Sequence, residues 1–345
     1  MLQALSKSES RKNFYDINES DLVKIDSCVL CGSKNITLIS EVFLGGLKFF
    51  STATCNDCLY TFRPVSPKLE WFQKCWKQIE TDKPEVFNPD VEEIRKKRYQ
   101  NYCGLLSKYV QGRKVLDIGA ANGNGSNVFA NNGFSVECLE PEINKVNYIK
   151  KVLGLPAYND TIESFLKTKN KYNLVLFAHC LEHLDDPVTV MSQIKNILSP
   201  EGILYLEVPK IWNYVTWSDA LYLTHKSNFT EENIISLATK NNYQVLEKIY
   251  YRHSEQDPWD MGFVLQFKDS PVVQNITGDK DQHTVEDVLK LYHNNLPVKS
   301  IGEKQVLQYS VPYIEHFYCT LKLESKEMTE PDPKTNIISF ITHNA

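Results

Sequence analysis

The chain contains 345 residues, of which 42% are hydrophobic, and its formal net charge is −5. This length predicts one large core with additions, and the hydrophobic fraction is sufficient to fill it. The negative charge balance provides no general attraction to nucleic acid. No apolar run approaches the roughly 18 residues of a membrane span, and the N-terminus lacks the apolar segment of a signal peptide. We therefore expect a cytoplasmic protein that binds neither a membrane nor nucleic acid.

Residues 25–66 carry the pattern of a zinc ribbon, preceded by a polar segment, residues 1–24, that we expect to be a flexible arm. Two CxxC pairs are separated by 23 residues, and their members are Cys28, Cys31, Cys55 and Cys58. Each pair can place two thiolates on one tight turn, and two turns complete a tetrahedron around a structural Zn²⁺. Between the pairs, two short strands joined at Gly45 and Gly46 are predicted. The alternative, two structural disulfides, is disfavoured because nothing marks the chain for an oxidising compartment.

The remaining chain divides into three parts. Residues 67–110 combine aromatic and charged residues at helical spacing, which predicts helices that cap the ligand face of a core. Residues 111–268 alternate strand and helix patterns, and such alternation predicts a Rossmann-like, doubly wound α/β fold with a parallel sheet covered by helices on both faces. Residues 269–345 match no motif and form a C-terminal extension of unknown role, with a predicted helix at residues 285–292.

The stretch from Lys114 to Pro141 predicts a nucleotide-binding βαβ unit. A buried strand is followed by a turn containing Gly119, Ala121 and Gly123, then a helix, then a second strand that ends at Glu140. Glycine lets the backbone approach a ligand closely at the turn. The carboxylate at the tip of the second strand can accept hydrogen bonds from both hydroxyls of a ribose.

An acid, Asp117, lies two residues before the first glycine, where it would repel a pyrophosphate but suit a ligand with an ammonium group. This DxGxxxG pattern with a later acid resembles the class I S-adenosylmethionine-dependent methyltransferases, whose usual form is DxGxGxG. Here Ala121 replaces the middle glycine. The family commonly has a segment like HxLEHxxDP after the fourth strand, and this chain has HCLEHLDDP from His179 to Pro187.

The resemblance spans about residues 110–250 and implies S-adenosylmethionine as the cofactor. It places Asp160 near the adenine, and His179, at a strand end, between cofactor and acceptor. We expect His183 to have a structural role, holding the loop after the fourth strand in place. The alternative is that Asp117 and Glu140 only cap a fold that binds no nucleotide.

Two sequence features that are missing and one segment that is present narrow the range of methyl acceptors. No Asp/Asn-Pro-Pro-Tyr sequence follows the fourth strand, which argues against methylation of adenine or glutamine amino groups. The catalytic region also lacks clustered carboxylates that would chelate Mg²⁺ for catechol-type substrates. After the fifth strand comes YLTHKSNFT, beginning at Tyr222, whose histidine, His225, can serve as a general base because its ordinary pKa is near 6.5.

A zinc ribbon followed by this core and a YxxHxxxFT segment resembles the sugar methyltransferases of deoxysugar and surface-polysaccharide pathways, including nucleotide-sugar C-methyltransferases. The resemblance implies His225 as base, with Tyr222 assisting, on a sugar or nucleotide-sugar. Thr224 replaces the usual acid, so O-, N- and C-methylation all stay open. If His225 is instead a packing residue at a helix entry, Tyr222 or His179 is the next candidate base.

The ribbon and the core are also compatible with two other functions. A zinc ribbon also precedes methyltransferases of ribosomal RNA, where it grips the phosphate backbone and needs positive charge. In residues 25–66 the basic and acidic side chains cancel, and four thiolates with one Zn²⁺ add about −2. A non-catalytic cofactor-binding scaffold is opposed by the intact Asp117 and Glu140.

Overall fold

A computed structural model describes residues 17–44, 47–74, 89–213, 224–251, 260–273, 283–294, 298–301, 304–311, 314–323 and 338–342. The chain divides into two compact units. The core unit comprises Pro84–Lys210 and Glu231–Lys280, and the ribbon unit comprises Met1–Lys83, Ile211–Thr230 and Asp281–Ala345. Among the helices in the described ranges, none has both the length and the apolar character that a membrane crossing requires.

The core unit is built on a seven-stranded sheet, with strands numbered along the whole chain. Its strands are β6 (Lys114–Ile118), β7 (Ser135–Leu139), β8 (Ala157–Tyr158), β9 (Tyr172–Ala178), β10 (Leu198–Pro209), β12 (Tyr243–Tyr251) and β13 (Asp260–Phe267). Their order is β8-β7-β6-β9-β10-β13-β12, and the first five are parallel. Strand β13 runs antiparallel to both β10 and β12. Only eight residues separate β12 from β13, fewer than a parallel crossover needs.

The core helices follow the strands as the alternation predicts. They are α1 (Pro89–Leu106), α2 (Asn124–Asn131), α3 (Ile143–Tyr148, continued by the π-helical turn Ile149–Leu153), α4 (Ile162–Phe165), α5 (Pro187–Ile194) and α6 (Glu231–Lys240). Helix α5 begins where the sequence Asp-Pro predicts, because Oδ1 of Asp186 accepts a hydrogen bond from the backbone of Thr189 at 2.9 Å. The Rossmann-like fold is thus confirmed, with a mixed rather than wholly parallel sheet.

The centre of the core sheet is buried on both faces. In β9, four consecutive residues (Leu174, Val175, Leu176 and Phe177) are fully buried. Continuous burial of this kind is typical of parallel strands covered on both sides. The carboxyl ends of β6, β7, β9 and β10 therefore share one edge of the sheet, and the amino end of antiparallel β13 lies at the same edge. Short 3₁₀ turns occur at Leu181–His183 and Lys195–Ile197.

The ribbon unit is mainly antiparallel. Its strands are β1 (Leu22–Lys24), β2 (Ile36–Leu44), β3 (Leu47–Cys55), β4 (Thr61–Phe62), β5 (Val65–Pro67), β11 (Ser227–Asn228), β14 (Val298–Ile301), β15 (Lys304–Val311), β16 (Ile314–Leu323) and β17 (Ile338–Thr342). Eight of them form a sheet in the order β11-β4-β3-β2-β17-β16-β15-β14, and β1 pairs with β5. The unit also contains α7 (Val285–Asn294), the helix predicted at residues 285–292, and 3₁₀ turns at Glu19–Asp21 and Ile211–Asn213.

The two strands predicted between the cysteine pairs are β2 and β3, which pair antiparallel; Gly45 and Gly46 between them lie outside the described residues. The units differ from the predicted boundaries, which followed chain order. Strand β2 pairs with β17 and β4 pairs with β11, so three distant segments share the ribbon sheet. Residues 22–24, assigned by sequence to a flexible arm, form β1. Sheet pairing joins strands regardless of their separation in sequence, which local patterns do not encode.

Candidate functional site

The turn between β6 and α2 has the backbone of a close-approach loop. Gly119, Ala121 and Gly123 all adopt left-handed conformations, with φ of +71°, +50° and +76°. A Cβ atom at Gly119 would lie 2.2 Å from Sγ of Cys180, and one at Gly123 would lie 2.7 Å from Ile149. Only glycine fits these two positions. Ala121 adopts the left-handed conformation with a side chain, at a cost of about 1–2 kcal/mol.

Asp117 lies beneath this turn and is fully buried. Its Oδ1 accepts a hydrogen bond from the hydroxyl of Tyr99 at 3.1 Å, and its Oδ2 accepts one from Ser126 at 2.6 Å. Burial raises the pKa of this carboxyl to about 6, although both hydroxyls lower it. Asp117 therefore ties α1 and α2 to the end of β6. Its predicted contact with a ligand's ammonium group stays a prediction.

Glu140 follows β7 and joins the turn to the strand end. Its Oε2 accepts a hydrogen bond from the backbone of Ala121 at 2.9 Å, and its Oε1 accepts one from the backbone of Glu142 at 3.1 Å. The residue is 6% exposed. Burial raises its pKa to about 7, opposed by the charge of Lys145. A carboxylate has about four lone-pair sites, so two remain for other donors such as ribose hydroxyls.

Asp160 lies at the same edge, because β8 runs parallel to β7 and Asp160 follows β8. Its Oδ1 accepts a hydrogen bond from the backbone of Thr161 at 2.8 Å, immediately before α4. The structure thus brings together Gly119, Ala121, Gly123, Glu140 and Asp160 along the carboxyl ends of three neighbouring strands. Their roles toward a cofactor stay predictions of the resemblance.

His179 follows β9 in a left-handed conformation, with φ of +54°. Its Nε2 lies 3.1 Å from Oε1 of Glu207 and 3.3 Å from Oδ2 of Asp260, and its Nδ1 lies 3.6 Å from Oε1 of Glu182. Burial lowers the pKa of the imidazole, but the carboxylate of Asp260 and its neighbours outweigh burial and raise that pKa well above 6.5. His179 is therefore held mainly as a cation at neutral pH.

Helix α1 supplies two of the side chains near Glu207 and Asp260, those of Arg98 and Tyr102. Arg98 lies 4.0 Å from Oε1 of Glu207 and 3.8 Å from Oδ2 of Asp260. The hydroxyls of Tyr102 and Tyr205 donate to the two oxygens of Glu207. Burial raises the pKa of Glu207, but His179 and Arg98 outweigh it and lower the pKa below its ordinary value.

The sequence analysis did not identify Glu207, Asp260, Glu182 or Arg98 as site residues. The sequence does contain one indication of Glu207, because it is an acid within the otherwise apolar strand sequence ILYLEVP. The expectation that the catalytic region lacks clustered carboxylates is wrong. Side chains from β10, β13 and the turn after β9 meet at one sheet edge, and their separation in sequence conceals this.

The structure describes only one of the two residues predicted to remove the acceptor proton. Tyr222 lies outside the described residues. His225 lies in the ribbon unit, two residues before β11. His183 lies in the core unit, where its backbone donates to the carbonyl of Cys180 at 3.1 Å. The assignment of proton removal to His225 stays a prediction.

The four ribbon cysteines lie within reach of one metal ion. Sγ of Cys28 is 3.7 Å from that of Cys58, and Sγ of Cys31 is 3.5 Å from that of Cys55. A disulfide would need about 2.05 Å. Zinc bonds of about 2.3 Å at tetrahedral angles place sulfurs about 3.8 Å apart, so the set fits Zn²⁺.

The two cysteine turns share one backbone feature. The residue after each second cysteine is left-handed, Gly32 at φ +79° and Leu59 at φ +56°. The fourth backbone amide of each turn donates to the carbonyl of the first cysteine, from Gly32 to Cys28 at 2.7 Å and from Leu59 to Cys55 at 2.9 Å. The two cysteine turns therefore share the same backbone conformation and the same hydrogen bond.

Comparison with known proteins is consistent with this geometry. Residues 91–248 match the family model described as a methyltransferase domain. The chain is 31% identical over 116 residues to the ubiquinone biosynthesis O-methyltransferase of Haemophilus ducreyi, covering 31% of this chain and 49% of that protein. It is 24% identical over 153 residues to the enzyme of the same name from Pasteurella multocida, covering 40% of this chain and 61% of that protein. The chain thus spans about half the length of the curated relatives it matches.

Similar solved structures include the 1,6-didemethyltoxoflavin-N1-methyltransferase of Burkholderia thailandensis, at 16% identity and a TM-score of 0.47, covering 61% of this chain and 96% of that one. The N-methyltransferase NodS of Bradyrhizobium japonicum, with S-adenosylhomocysteine, is 14% identical with a TM-score of 0.45, covering 56% of this chain and 98% of that one. The family match, the sheet order and the glycine turn together show that the core unit has the Rossmann-like fold of a methyltransferase domain.

Proposed function

We propose that this protein transfers the methyl group of S-adenosylmethionine to a small-molecule acceptor. One observation carries the proposal: the buried carboxylate of Glu140 joins the glycine turn to the end of β7 and keeps lone pairs for two hydroxyl donors. When bound, the cofactor supplies a methyl group on a sulfonium, which is already a good leaving group. The protein's task is then to hold acceptor and cofactor in line, with reacting atoms about 3–3.5 Å apart.

The proposed acceptor is the hydroxyl, amine or carbon of a sugar or nucleotide-sugar. Its support is the resemblance carried by the ribbon, the core and the segment with Tyr222 and His225. His225 would remove the acceptor proton, with Tyr222 assisting. His179 is a weaker candidate base because its pKa lies well above 6.5, so its ring already carries the proton near pH 7.

A second candidate is O-methylation of an acceptor like those of the curated relatives, which are named ubiquinone biosynthesis O-methyltransferases. Their identity of 24–31% favours O-methylation over C-methylation. Because the aligned residues cover only 31–40% of this chain, they bear on the core more than on the acceptor.

The proposal includes a structural Zn²⁺ bound by Cys28, Cys31, Cys55 and Cys58. The sulfur–sulfur distances of 3.5 and 3.7 Å support it. Four thiolate ligands leave no position for water or substrate, which is typical of structural rather than catalytic zinc.

Calorimetry with S-adenosylhomocysteine tests the cofactor. We expect a dissociation constant in the micromolar range, about 8 kcal/mol of binding free energy. Glu140→Ala should weaken binding by roughly 1–3 kcal/mol, because two hydroxyls lose a charged acceptor. Glu163→Ala, which removes an exposed carboxylate on α4, is the matched control and should bind normally. Tighter binding of NAD than of S-adenosylhomocysteine would refute the cofactor assignment.

A product-mass screen with isotopically labelled S-adenosylmethionine tests the acceptor. Nucleotide-sugars and aromatic O-methyl acceptors would be supplied in parallel. A labelled methyl group on a nucleotide-sugar supports the first candidate, and one on an aromatic hydroxyl supports the second. Transfer to neither class, by protein that binds the cofactor, contradicts both acceptor assignments.

A further inference from the structure

Three side chains from separate strand ends converge in the core unit and form what we call the histidine–carboxylate group: His179, Glu207 and Asp260. Each offers one nitrogen or oxygen atom, and these atoms lie within 4.8 Å of one another. Glu207 is fully buried and Asp260 is 3% exposed. One half-buried imidazole with two buried carboxylates is a common donor set for divalent transition metals.

The distances within the group match those between neighbouring ligands on one metal ion. Nε2 of His179 lies 3.1 Å from Oε1 of Glu207 and 3.3 Å from Oδ2 of Asp260. Metal bonds of about 2.1–2.3 Å at roughly right angles place neighbouring ligand atoms about 3.0–3.3 Å apart. The two distances from Nε2 are thus those of neighbouring ligands on one cation, and the third pair, the two carboxylates, lies within 4.8 Å.

A second observation concerns the other ring nitrogen of His179. Its Nδ1 lies 3.6 Å from Oε1 of Glu182, which is 1% exposed and has no hydrogen-bond partner for either carboxylate oxygen. Histidines that bind metals through one nitrogen almost always donate the other N–H to a carboxylate or carbonyl, which holds the ring in orientation. Glu182 is placed for that role. Neither oxygen of this buried carboxylate accepts a hydrogen bond, and such a group needs a donor.

The charges around the group also favour a divalent cation. Among the described residues, the buried carboxylates of Glu207 and Asp260 lie near one guanidinium, that of Arg98, and the buried carboxylate of Glu182 lies near His179. These three carboxylates and one guanidinium sum to −2 before His179 is counted, and a divalent cation with a neutral imidazole would offset that charge. The hydroxyls of Tyr102 and Tyr205 orient Glu207 without neutralising it.

We propose that His179, Glu207 and Asp260 bind a divalent transition-metal ion of the Mn²⁺, Fe²⁺ or Zn²⁺ class. A nitrogen ligand disfavours Mg²⁺ and Ca²⁺, which take oxygen ligands. Three protein ligands leave coordination positions open, unlike the four-cysteine set. The open positions would take water or an oxygen atom of the acceptor, and this last part alone rests on the proposed methyl transfer.

Titration of the full-length protein with Mn²⁺, followed by the electron paramagnetic resonance signal of the free ion, tests the site. We expect one Mn²⁺ bound per chain in the absence of cofactor and acceptor. Spin-echo modulation of the bound ion should show one directly coordinated nitrogen, which His179→Gln should abolish. Asp260→Asn should weaken binding at least tenfold.

Glu137→Gln is the matched control. Glu137 also accepts hydrogen bonds from two tyrosine hydroxyls, those of Tyr158 at 2.9 Å and Tyr172 at 2.7 Å, and pairs with Lys114 at 3.0 Å. None of these partners within the described residues is a histidine. Its replacement should leave Mn²⁺ binding unchanged. If Asp260→Asn does not fold, Glu182→Gln tests the site in its place. We expect that variant to bind Mn²⁺ about 10–100-fold more weakly.

The site is refuted if no Mn²⁺ binds at millimolar concentration, if the bound ion shows no nitrogen coupling, or if binding is unchanged in the folded variants. Binding of Mn²⁺ by protein that does not bind S-adenosylhomocysteine would refute the proposed methyl transfer and leave the metal site standing. If the protein binds S-adenosylhomocysteine but not Mn²⁺, the metal site is refuted and the proposed methyl transfer is unaffected. The two proposals therefore fail separately.

Discussion

Replacing Glu140 by glutamine should change how the folding stability of this protein depends on pH. The carboxyl group is 6% exposed, and burial raises its pKa from 4.5 to about 7. The folded protein therefore binds this proton more tightly than the unfolded chain does. Between about pH 4.5 and pH 7 the free energy of unfolding should fall as pH rises, because the folded state must hold an ionised carboxylate away from water.

The magnitude follows from the difference between the two pKa values. A difference of about 2.5, at about 1.4 kcal/mol for each pKa unit, costs the folded protein about 3 kcal/mol once the group is fully ionised. Between pH 5 and pH 8 the parent should lose roughly 2–3 kcal/mol from this residue. Glutamine does not ionise, so Glu140→Gln should not show that loss. Asp117, with a pKa of about 6, is present in both proteins and cancels in the comparison.

Urea unfolding of the parent and of Glu140→Gln at pH 5 and pH 8 measures the effect. The difference in unfolding free energy between the two proteins should shift by roughly 2–3 kcal/mol in favour of the variant at the higher pH. The backbone hydrogen bonds from Glu142 and Ala121 lower the pKa of Glu140, so their pH-dependent part is already contained in the value of about 7. Glu163→Gln, which removes an exposed carboxylate on α4, is the matched control. Equal differences at both pH values would mean that Glu140 does not titrate as a buried acid, and the reasoning from burial would be refuted.

Three further results are expected. Purified protein should carry about one zinc per chain, and Cys55→Ser should lose it and destabilise the β2–β3 hairpin while cofactor binding persists; a Cys28 disulfide without zinc would contradict this. Ala121→Gly should raise the unfolding free energy by up to about 1 kcal/mol in thermal unfolding, because a left-handed position no longer carries a Cβ; a lower melting temperature would contradict it. His225→Ala should leave S-adenosylhomocysteine affinity unchanged, lower turnover by about 10²–10⁴-fold and remove the rise of rate with pH. If the variant unfolds, or if its turnover falls only a few-fold, His225 is a packing residue.

The features that could be predicted from sequence are those whose chemistry is contained in one short segment. The turn of Gly119 and Gly123, the acid Glu140 after the next strand, and the helix start at Asp186 follow from local backbone requirements. Glycine is needed where φ is positive and a neighbour is close, and an Asp-Pro pair caps a helix. The cysteine pairs are similar, because each CxxC turn sets the spacing of its own two sulfurs.

Only the tertiary structure decided which separate segments meet. His179, Glu207 and Asp260 are brought together because the carboxyl ends of parallel strands and the amino end of antiparallel β13 share one sheet edge. Likewise, β2 pairs with β17 across nearly the whole chain. The tertiary structure also brings the hydroxyls of Tyr99 and Ser126 to the two oxygens of Asp117, which the sequence pattern does not indicate. Hydrogen bonding and strand pairing depend on distance in space, and the local pattern of residues carries no record of it.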